Sequence, residues 1–323
     1  MQISRRALTL IACATLTGAA FAQDSFPNRP IRLIVPFPPR ASTDLVGRAI
    51  AQKLSANMGV PVVVDNKAGA AGTMGSELLA RAAPDGYTIG VAVPGTHSIP
   101  IALSRKLPYD AIKDFTPLSI AASNPLAVVV APTVPANNLR ELVEYARKNP
   151  GKLAYGTSGA GTAQHLVGEM LNQFAKIDIL HVPYKGGSPV LNDLLGGQIQ
   201  VGYVVVATVL GHVKAGKLKM LAVLDDHRYS ELPNVPTNSE ALPGFEAMTS
   251  WLGIFGPAHM PPALASRLTS EIQKVLRDPE VAKYLNANGM PVVGSTGEQL
   301  AARVRADVEG WTPIVKAGKI TAD

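Results

Sequence analysis

Short apolar runs of strand length alternate with amphipathic segments of helix length, and this alternation constrains the fold more than any other feature. The runs IRLIVPF (31–37), VPVVVDN (60–66) and YTIGVAV (87–93) are typical of buried strands. The segment after the first run places Leu45, Val46, Ala49, Ile50 and Leu54 on one helical face. The pattern predicts an α/β fold with mostly parallel sheets.

The second half of the chain continues the alternation. Further strands are predicted at LAVVVAP (126–132), KLAYGTS (152–158), IDILHVPY (177–184), QIQVGYVVV (198–206) and LKMLAVL (218–224). Two amphipathic helices, near 262–277 and 297–310, close the chain. A length of 323 residues is enough for two lobes.

Two segments are candidates for crossings between such lobes. Pro117, Pro125 and Pro132 bracket the first, and the loop DDHRYSELPNVPT (225–237) brackets the second. If the chain crosses twice, the middle of the chain is one lobe and both ends build the other. The predicted division is residues 23–122 plus 226–323 for one lobe and 123–225 for the other.

The amino terminus carries the marks of export. Arg5-Arg6 precedes the apolar run ALTLIACATLTGAA, and Ala20-Phe21-Ala22 offers a small-x-small cleavage site. We expect a signal peptide over residues 1–22, cleaved after Ala22, and a periplasmic protein. Two alternatives stay open at this point: SRR resembles a twin-arginine signal, and the four residues ending at Cys13 resemble a lipoprotein box.

Cysteine and charge exclude several classes of protein. Cys13 is the only cysteine and leaves with the signal peptide, so neither a disulfide nor a thiolate metal site is expected. The formal charge of +6 falls to +4 without Arg5 and Arg6. The densest basic group, at 214–219, has no interleaved aromatic residues, which argues against a nucleic-acid surface.

Four turns combine small or flexible residues with a helix start: PFPPRASTD (36–44), AGAAGTMGSE (68–77), GTSGAGTAQH (156–165) and YKGGSPVLND (184–193). Ser42, Thr73, Thr162 and Ser188 suit helix N-caps, and Pro189 suits the first helical position. A helix start offers unpaired N–H groups and a partial positive charge. Each turn is therefore a candidate anion site, although most such turns bind nothing.

Each partial match to an enzyme motif in this sequence lacks a required residue or spacing. GAAGTMG has the wrong spacing for a dinucleotide loop, and the P-loop-like segment 211–217 is followed by Leu218 where Ser or Thr is required. The nucleophile elbow lacks its last glycine at Ala160. The six histidines have no metal-ligand spacing, and His181 in a strand reads as a hydrogen-bonded structural residue. A hydrolase using Ser158 and His165 is the weakest alternative, since no third group is evident.

The stretches PFPPRASTD, NKAGAAGTMGSELLARAAPDGYT and YGTSGAGTAQHLVGEML, with HVPYKGGSPVLNDLLGGQIQV, resemble the Bug family over about residues 27–320. These proteins are periplasmic receptors of tripartite tricarboxylate transporters. The resemblance implies a type II periplasmic-binding-protein fold, in which two α/β lobes joined by a hinge close around a central cleft. It also implies a small carboxylate ligand, membrane transporter subunits as partners, no catalysis, no cofactor and no metal.

The resemblance also carries over the residues that line the cleft: the first turn, the turn before the second helix and the SGxGTxxH turn, with weaker candidates at 92–97 and 184–187. The ligand-binding residues implied are Phe37, Pro39, Arg40, Ala41, Ser42, Thr43, Ala70, Ala71, Gly72, Thr73, Thr96, His97, Ser158, Ala160, Gly161, Thr162, His165, Tyr184 and Val204.

Two residues depart from the family pattern. Arg40 and Ala41 replace the glycines of PFPPGG, and Val204 stands where the family often has an aspartate. If both face the cleft, Val204 cannot pair with an ammonium and Arg40 can hold a carboxylate. We expect an amine-free aromatic or aliphatic mono- or dicarboxylic acid, bound by a monomer. An alternative role, presentation of the ligand to a membrane sensor for signalling, stays open.

Overall fold

Runs of β-branched and aliphatic residues form buried strands in the structure, a computed structural model that describes residues 26–321. The predicted signal peptide and Cys13 lie outside these residues. The first sheet contains β1 (Ile31–Val35), β2 (Val62–Asn66), β3 (Thr88–Ala92), β4 (Phe115–Ser123) and β10 (Trp251–Pro257). The second contains β5 (Leu126–Val130), β6 (Ala154–Thr157), β7 (Leu180–Pro183), β8 (Val201–Val205) and β9 (Lys219–Leu224).

Helices fill the connections and cover the sheets. They are α1 (Ser42–Met58), α2 (Thr73–Ala80), α3 (Pro94–His97), α4 (Ile99–Ala102), α5 (Leu139–Lys148), α6 (Ala163–Ala175), α7 (Gly187–Leu195), α8 (Val206–Lys214), α9 (Asn238–Ala241), α10 (Pro262–Leu276), α11 (Pro279–Ala287) and α12 (Gly297–Gly318). Among residues 26–321, no helix has both the length and the apolar character that crossing a membrane requires.

The two sheets share one topology. Their strand orders are β2-β1-β3-β10-β4 and β7-β6-β8-β5-β9. In each sheet the first three strands are parallel, and the fourth pairs antiparallel with both of its neighbours. The sheets are therefore mixed: the fourth strand runs against the others, and the remaining four strands of each sheet share one direction, which agrees with the prediction of mostly parallel sheets. The fourth strand of each sheet comes from a distant part of the chain instead of following a βα unit.

The chain passes twice between the sheets. It leaves the first sheet after β4, crosses at Asn124-Pro125 and returns after β9. The two crossings are joined where the Ser123 hydroxyl donates to Asp225 Oδ2 at 2.7 Å. We call the body around each sheet the first and the second lobe. The exact division at 122/123 and 225/226 stays a prediction, and the strand composition of the sheets supports it.

The hydrophobic core shows one departure from a simple two-lobe division. Ile31, Leu33 and Leu252 are buried around the first sheet, whereas Tyr155 and Tyr203 are buried around the second. Trp311 and Val315 of α12, from the end assigned to the first lobe, are buried in the same cluster as Tyr155. Packing, and not chain position alone, therefore decides which body the last helix belongs to.

Candidate functional site

Three turns of the first lobe meet at Gly72. A methyl group on Gly72 would lie 2.8 Å from Thr96 Cγ2 and 3.0 Å from Phe37 Cζ, and the residue has φ +93°. Only glycine allows both the approach and the backbone conformation. The turns after β1, before α2 and after β3 therefore line one surface at the carboxyl ends of parallel strands, where ligands bind in α/β folds.

Left-handed backbone is concentrated in these turns. Arg40, Ala70 and Ala71 have φ values of 70°, 46° and 54°, and none of them is glycine. Each such residue costs about 1–2 kcal/mol relative to an ordinary conformation. Strain of this kind persists where the surrounding structure holds it, and it is frequent at ligand-binding turns.

Asp44 and Asn66 hold the first turn in place. Asp44 is 1% exposed and its Oδ2 accepts from Arg40 N at 2.8 Å and from Arg48 Nε at 2.9 Å. Asn66 Nδ2 donates to Asp44 Oδ1 at 2.9 Å and to Phe37 O at 3.1 Å. Both ends of the turn are thus tied to one buried carboxylate and one amide. Sequence reasoning missed these two residues.

The same contacts set the charge of Asp44. Burial on its own raises the pKa of this carboxyl, but hydrogen bonds from Arg48, the Arg40 amide and Asn66, with the positive charge of Arg48, outweigh burial. The pKa of Asp44 is consequently lowered below its usual range. The carboxylate is charged and fully engaged at neutral pH, so it offers no free negative charge to a ligand.

Of the predicted N-caps, the structure confirms Thr162. Its Oγ1 accepts from His165 N at 3.4 Å. The helices expected to begin after Ser42, Thr73 and Ser188 have their caps at Ala41, Gly72 and Gly186, without side-chain cap bonds. In these turns the backbone before the helix is set by glycine or tertiary contacts, so the serine or threonine falls inside the first turn. Pro189 likewise lies at the third helical position.

The SGxGTxxH turn of the second lobe is closed by its own side chains. Thr162 Oγ1 donates to Gly159 O at 2.8 Å, and Gly161 N donates to His165 Nδ1 at 3.1 Å. Because Nδ1 of His165 accepts, the neutral ring carries its proton on Nε2. The first N–H groups of α6 have no partner within the helix. They and the His165 Nε2–H are donors suited to an anion.

The fourth turn is tied to this one. Tyr184 N donates to Thr157 O at 3.0 Å and Gly186 N donates to Ser158 O at 3.2 Å. The Tyr184 hydroxyl donates to Asp193 Oδ2 at 2.6 Å, and burial together with this carboxylate raises the pKa of Tyr184 to about 12. The Tyr184 hydroxyl is therefore already engaged as a donor within the turn.

Two histidines stack behind the turn. The rings of His165 and His181 have centroids 3.9 Å apart and an interplanar angle of 11°. His181 Nε2 lies 2.7 Å from Thr157 Oγ1, which confirms His181 as a hydrogen-bonded structural residue. Burial lowers the pKa of both rings to about 4, and the neighbouring ring adds to the effect at His181. Both rings are neutral at pH 7.

The hydrolase alternative has no support from this geometry. His165 Nδ1 is occupied by Gly161 N, and within residues 26–321 no hydrogen bond joins His165 to the Ser158 hydroxyl. A nucleophile needs a base within hydrogen-bond reach. The same part of the chain contains no group of three or more side chains able to hold a metal ion.

Most of the predicted ligand residues lie on the surface of the four turns. The partly or fully exposed ones are Phe37, Pro39, Arg40, Ala41, Ser42, Ala70, Ala71, Thr73, Ser158, Ala160, Gly161, Thr162, His165 and Tyr184. Thr43, Gly72, Thr96, His97 and Val204 are buried. The Thr43 hydroxyl is buried without a hydrogen-bond partner in the described structure.

His97 and Thr96 are buried beneath the first-lobe turns, and their assignment as contact residues stays a prediction. His97 is 0% exposed, stacks on Phe255 at 4.4 Å and lies 4.4 Å from the Phe115 ring. Its Nδ1 is 2.9 Å from Thr96 Oγ1. Burial lowers the pKa of His97 to about 3. The rings of Phe255 and Phe115 pack against this ring and help to exclude water from it.

Val204 also lies in the core. It is 1% exposed and belongs to the hydrophobic cluster of Ala127, Val190 and Leu194. Its side chain faces the helices that cover the second sheet. Val205, the last residue of β8, keeps partial exposure.

Comparison with known proteins gives a consistent result. The sequence profile of the family described as "Tripartite tricarboxylate transporter family receptor" matches residues 46–320. The chain is 37% identical to the "UPF0065 protein in tcbD-tcbE intergenic region" of Pseudomonas sp. strain P51, covering 99% of this chain and 96% of the relative.

Solved structures agree in fold. The periplasmic binding protein BugD superposes with a TM-score of 0.81 at 32% identity, over 92% of this chain and 99% of BugD. An R. palustris protein solved with adipate superposes with a TM-score of 0.85 at 30% identity, over 92% of this chain and 99% of that protein. MatC from Rhodopseudomonas palustris, with bound malate, superposes with a TM-score of 0.80 at 29% identity, over 90% of this chain and 100% of MatC.

Proposed function

The chain belongs to the tripartite tricarboxylate transporter family of receptors, the TctC or Bug proteins, and from this premise we propose that it captures a small carboxylate between its lobes. The members of this family are periplasmic solute-binding receptors and not enzymes. The observation that carries the proposal is the repeated design of the site. Each lobe presents two turns, at the carboxyl ends of parallel strands, that lead into helix N-termini.

The acids beside these turns favour an amine-free ligand. An ammonium group in a cleft needs an available carboxylate, as a buried charge must be paired. Asp44 is engaged by Arg40 N, Arg48 and Asn66, and Asp193 is engaged by Tyr184. Glu77, in the second turn, is paired with Arg81. Each of these three carboxylates already has a partner, so the ammonium group of a ligand would have to compete for it. We therefore propose an aromatic or aliphatic mono- or dicarboxylic acid, as adipate and malate are for the two R. palustris relatives.

The partner and the compartment follow from the family. We propose that the receptor works as a monomer and delivers its ligand to membrane subunits of a tripartite tricarboxylate-type transporter. We further propose that residues 1–22 direct export to the periplasm and are removed after Ala22.

Binding of carboxylates tests the function directly, and Thr162 tests the site. Adipate or malate at a hundredfold excess over its dissociation constant should stabilise the protein by about 2.7 kcal/mol in a thermal-shift assay. Thr162→Ala should weaken binding about ten- to a hundredfold by calorimetry, because it releases the turn and its helix cap.

The control for Thr162 is a second threonine cap. Thr296→Ala removes the N-cap of α12, which lies outside the four turns, and should cost the same stability of about 1 kcal/mol. Its affinity should equal that of the wild type. Equal losses of affinity in both variants would show that the effect is one of folding, and no loss in Thr162→Ala would remove this turn from the site.

Arg40 should contribute to affinity at the expense of stability. Arg40→Gly removes an exposed guanidinium from the first turn and places glycine at φ 70°. We expect affinity for a dicarboxylate to fall about tenfold, since hydrogen bonds to charged groups contribute about 1.5 kcal/mol or more. The free energy of unfolding should rise by up to about 1 kcal/mol, as relief of strain exceeds the entropy cost of glycine.

Lys176→Gly is the matched control. Lys176 is also an exposed cation with left-handed backbone, φ 52°, but it caps the opposite end of α6. It should gain similar stability without change in affinity. If Arg40→Gly binds dicarboxylates as the wild type does, or prefers aspartate or glutamate to adipate, Arg40 is only a solvated loop charge.

A further inference from the structure

The amino-terminal half of α12 is part of the first lobe. Leu300 and Val304 are buried with Trp251 and Phe255 of β10. Asp307, 1% exposed, accepts from Trp251 Nε1 at 2.7 Å and from Arg303 Nε at 2.7 Å. Apolar burial and a charged hydrogen bond together fix this half to the first sheet.

The carboxyl-terminal half packs on the second lobe. Trp311 and Val315 are buried in a cluster that contains Leu166 and Leu171 of α6 and also Ile99 and Ala102 of α4. Gln173 Nε2, near the end of α6, donates to Ile314 O at 3.4 Å. Detaching a buried tryptophan and valine would expose apolar area to water, which is unfavourable. The α6 contacts tie this half of α12 to the second lobe, beside its contact with α4.

The helix is weakest between these two halves. Pro313 has no N–H to donate to the Glu309 carbonyl, and its ring disfavours a straight helix at this point. The Thr312 hydroxyl donates to Val308 O at 2.6 Å, a contact that bends helices. Gly310 adds a third residue of low helix propensity. Three such residues lie within four positions, where α12 passes from one lobe to the other.

We propose that Gly310–Pro313 is a flexible joint, and that α12 forms a third connection between the lobes beside the two crossings of the chain. Residues 314–318 move with the second lobe, and residues 297–309 stay with the first. Bending at the joint costs little because the Pro313 hydrogen bond is already absent. The helix thus guides lobe movement without breaking its contacts on either side.

Spin-label distances in the ligand-free protein test the joint. Cys13 is the only cysteine, so a Cys13→Ser background makes introduced cysteines the only reactive sites. Exposed positions are available on α1 (Gln52→Cys), α5 (Lys148→Cys) and α12 (Lys316→Cys). Pulsed electron spin resonance on the three pairs gives three distance distributions. No ligand is needed, so the result does not depend on the proposed function.

We expect a specific order of widths. The distance distributions of the pairs 52–148 and 52–316 should be about twofold wider than that of the pair 148–316, because the end of α12 moves with the second lobe. A narrow 52–316 distribution with a broad 148–316 distribution would place all of α12 on the first lobe. Three distributions of equal width would show no joint. Either result overturns the proposal.

Pro313→Ala identifies the joint itself. The alanine restores an N–H for the Glu309 carbonyl and should narrow the 52–316 distribution about twofold. Pro279→Ala is the control, since Pro279 is the first residue of α11, where a missing N–H breaks no helical bond. It should leave all widths unchanged. An unchanged 52–316 width in Pro313→Ala would overturn the assignment of the joint.

Discussion

Replacing Asp44 with asparagine should lower the free energy of unfolding by about 3 kcal/mol, measured by urea denaturation at pH 7. The carboxylate is 1% exposed and accepts hydrogen bonds from Arg40 N, Arg48 and Asn66. Asparagine presents an NH₂ group to at least one of these donors, which leaves buried polar groups unpaired. Because both ends of the first turn are tied through Asp44 and Asn66, affinity for a carboxylate should fall as well.

The pH dependence of this difference is also fixed by the structure. The pKa of Asp44 is lowered in the folded state, so its contribution is present above the unfolded pKa near 3.8 and is lost as pH falls through the folded pKa. Asp85→Asn is the control: Asp85 forms an exposed ion pair with Arg29, and its loss should cost less than about 1 kcal/mol. Equal effects of the two substitutions at pH 7 would contradict the role given to Asp44.

Replacing His97 with phenylalanine should make the free energy of unfolding decrease less between pH 7 and pH 5. Burial lowers the pKa of His97 to about 3, so the folded protein holds this ring neutral while the unfolded chain protonates it near pH 6.5. The contribution of neutral His97 to the free energy of unfolding is complete above pH 6.5 and decreases as the pH drops toward 3. Between pH 7 and pH 5 the wild type should lose about 2 kcal/mol more than the variant.

Phenylalanine keeps an aromatic ring among Phe115, Phe255 and Tyr109, and His97 Nε2 has no hydrogen-bond partner in the described structure. The variant loses the contact between His97 Nδ1 and Thr96 Oγ1, which changes its stability at every pH but not the slope. His165 and His181 have lowered pKa values too, but they are present in both proteins and cancel in the comparison. His227→Gln, at an exposed position, is the control and should keep the wild-type slope. Parallel curves for the wild type and His97→Phe would show that His97 does not titrate as proposed.

Alternation of apolar runs predicted most of the fold, because burial on both faces leaves an unbroken apolar run in a strand. The strands missed were β4 and β10, whose sequences FTPLSIAAS and WLGIFGP contain proline, glycine and small residues. Both pair with each other in the first sheet and are stabilised by neighbours distant in sequence. Local pattern cannot show such pairing.

Helix ends show the same limit. α12 was predicted near 297–310, but it continues to Gly318, past Gly310 and Pro313, which are residues that commonly end helices. α11 was missed beside it. Packing of Trp311 and Val315 outweighs the local preference of glycine and proline.

For the candidate site, the small and flexible residues of the sequence identified the turns, but not the side chains that hold the turns in place. Thr162 was found because its hydroxyl caps the helix it precedes. Asp44 and Asn66 were not, since the contact between them spans 22 positions and each alone resembles an ordinary polar residue. Val204 was assigned from an aligned position alone, which does not show which face of the strand carries its side chain; in the structure that side chain is buried in the core.

The two ends of the described chain rest on different bodies. Phe26 packs edge-on against Tyr87 of the first lobe with ring centroids 5.0 Å apart, whereas Ile320 is buried in the second-lobe cluster. A pair of fluorescent proteins attached at these ends would therefore sit on opposite sides of the hinge. Energy transfer between them would report the angle between the lobes, which makes this scaffold suitable for a carboxylate biosensor with no dye in the cleft.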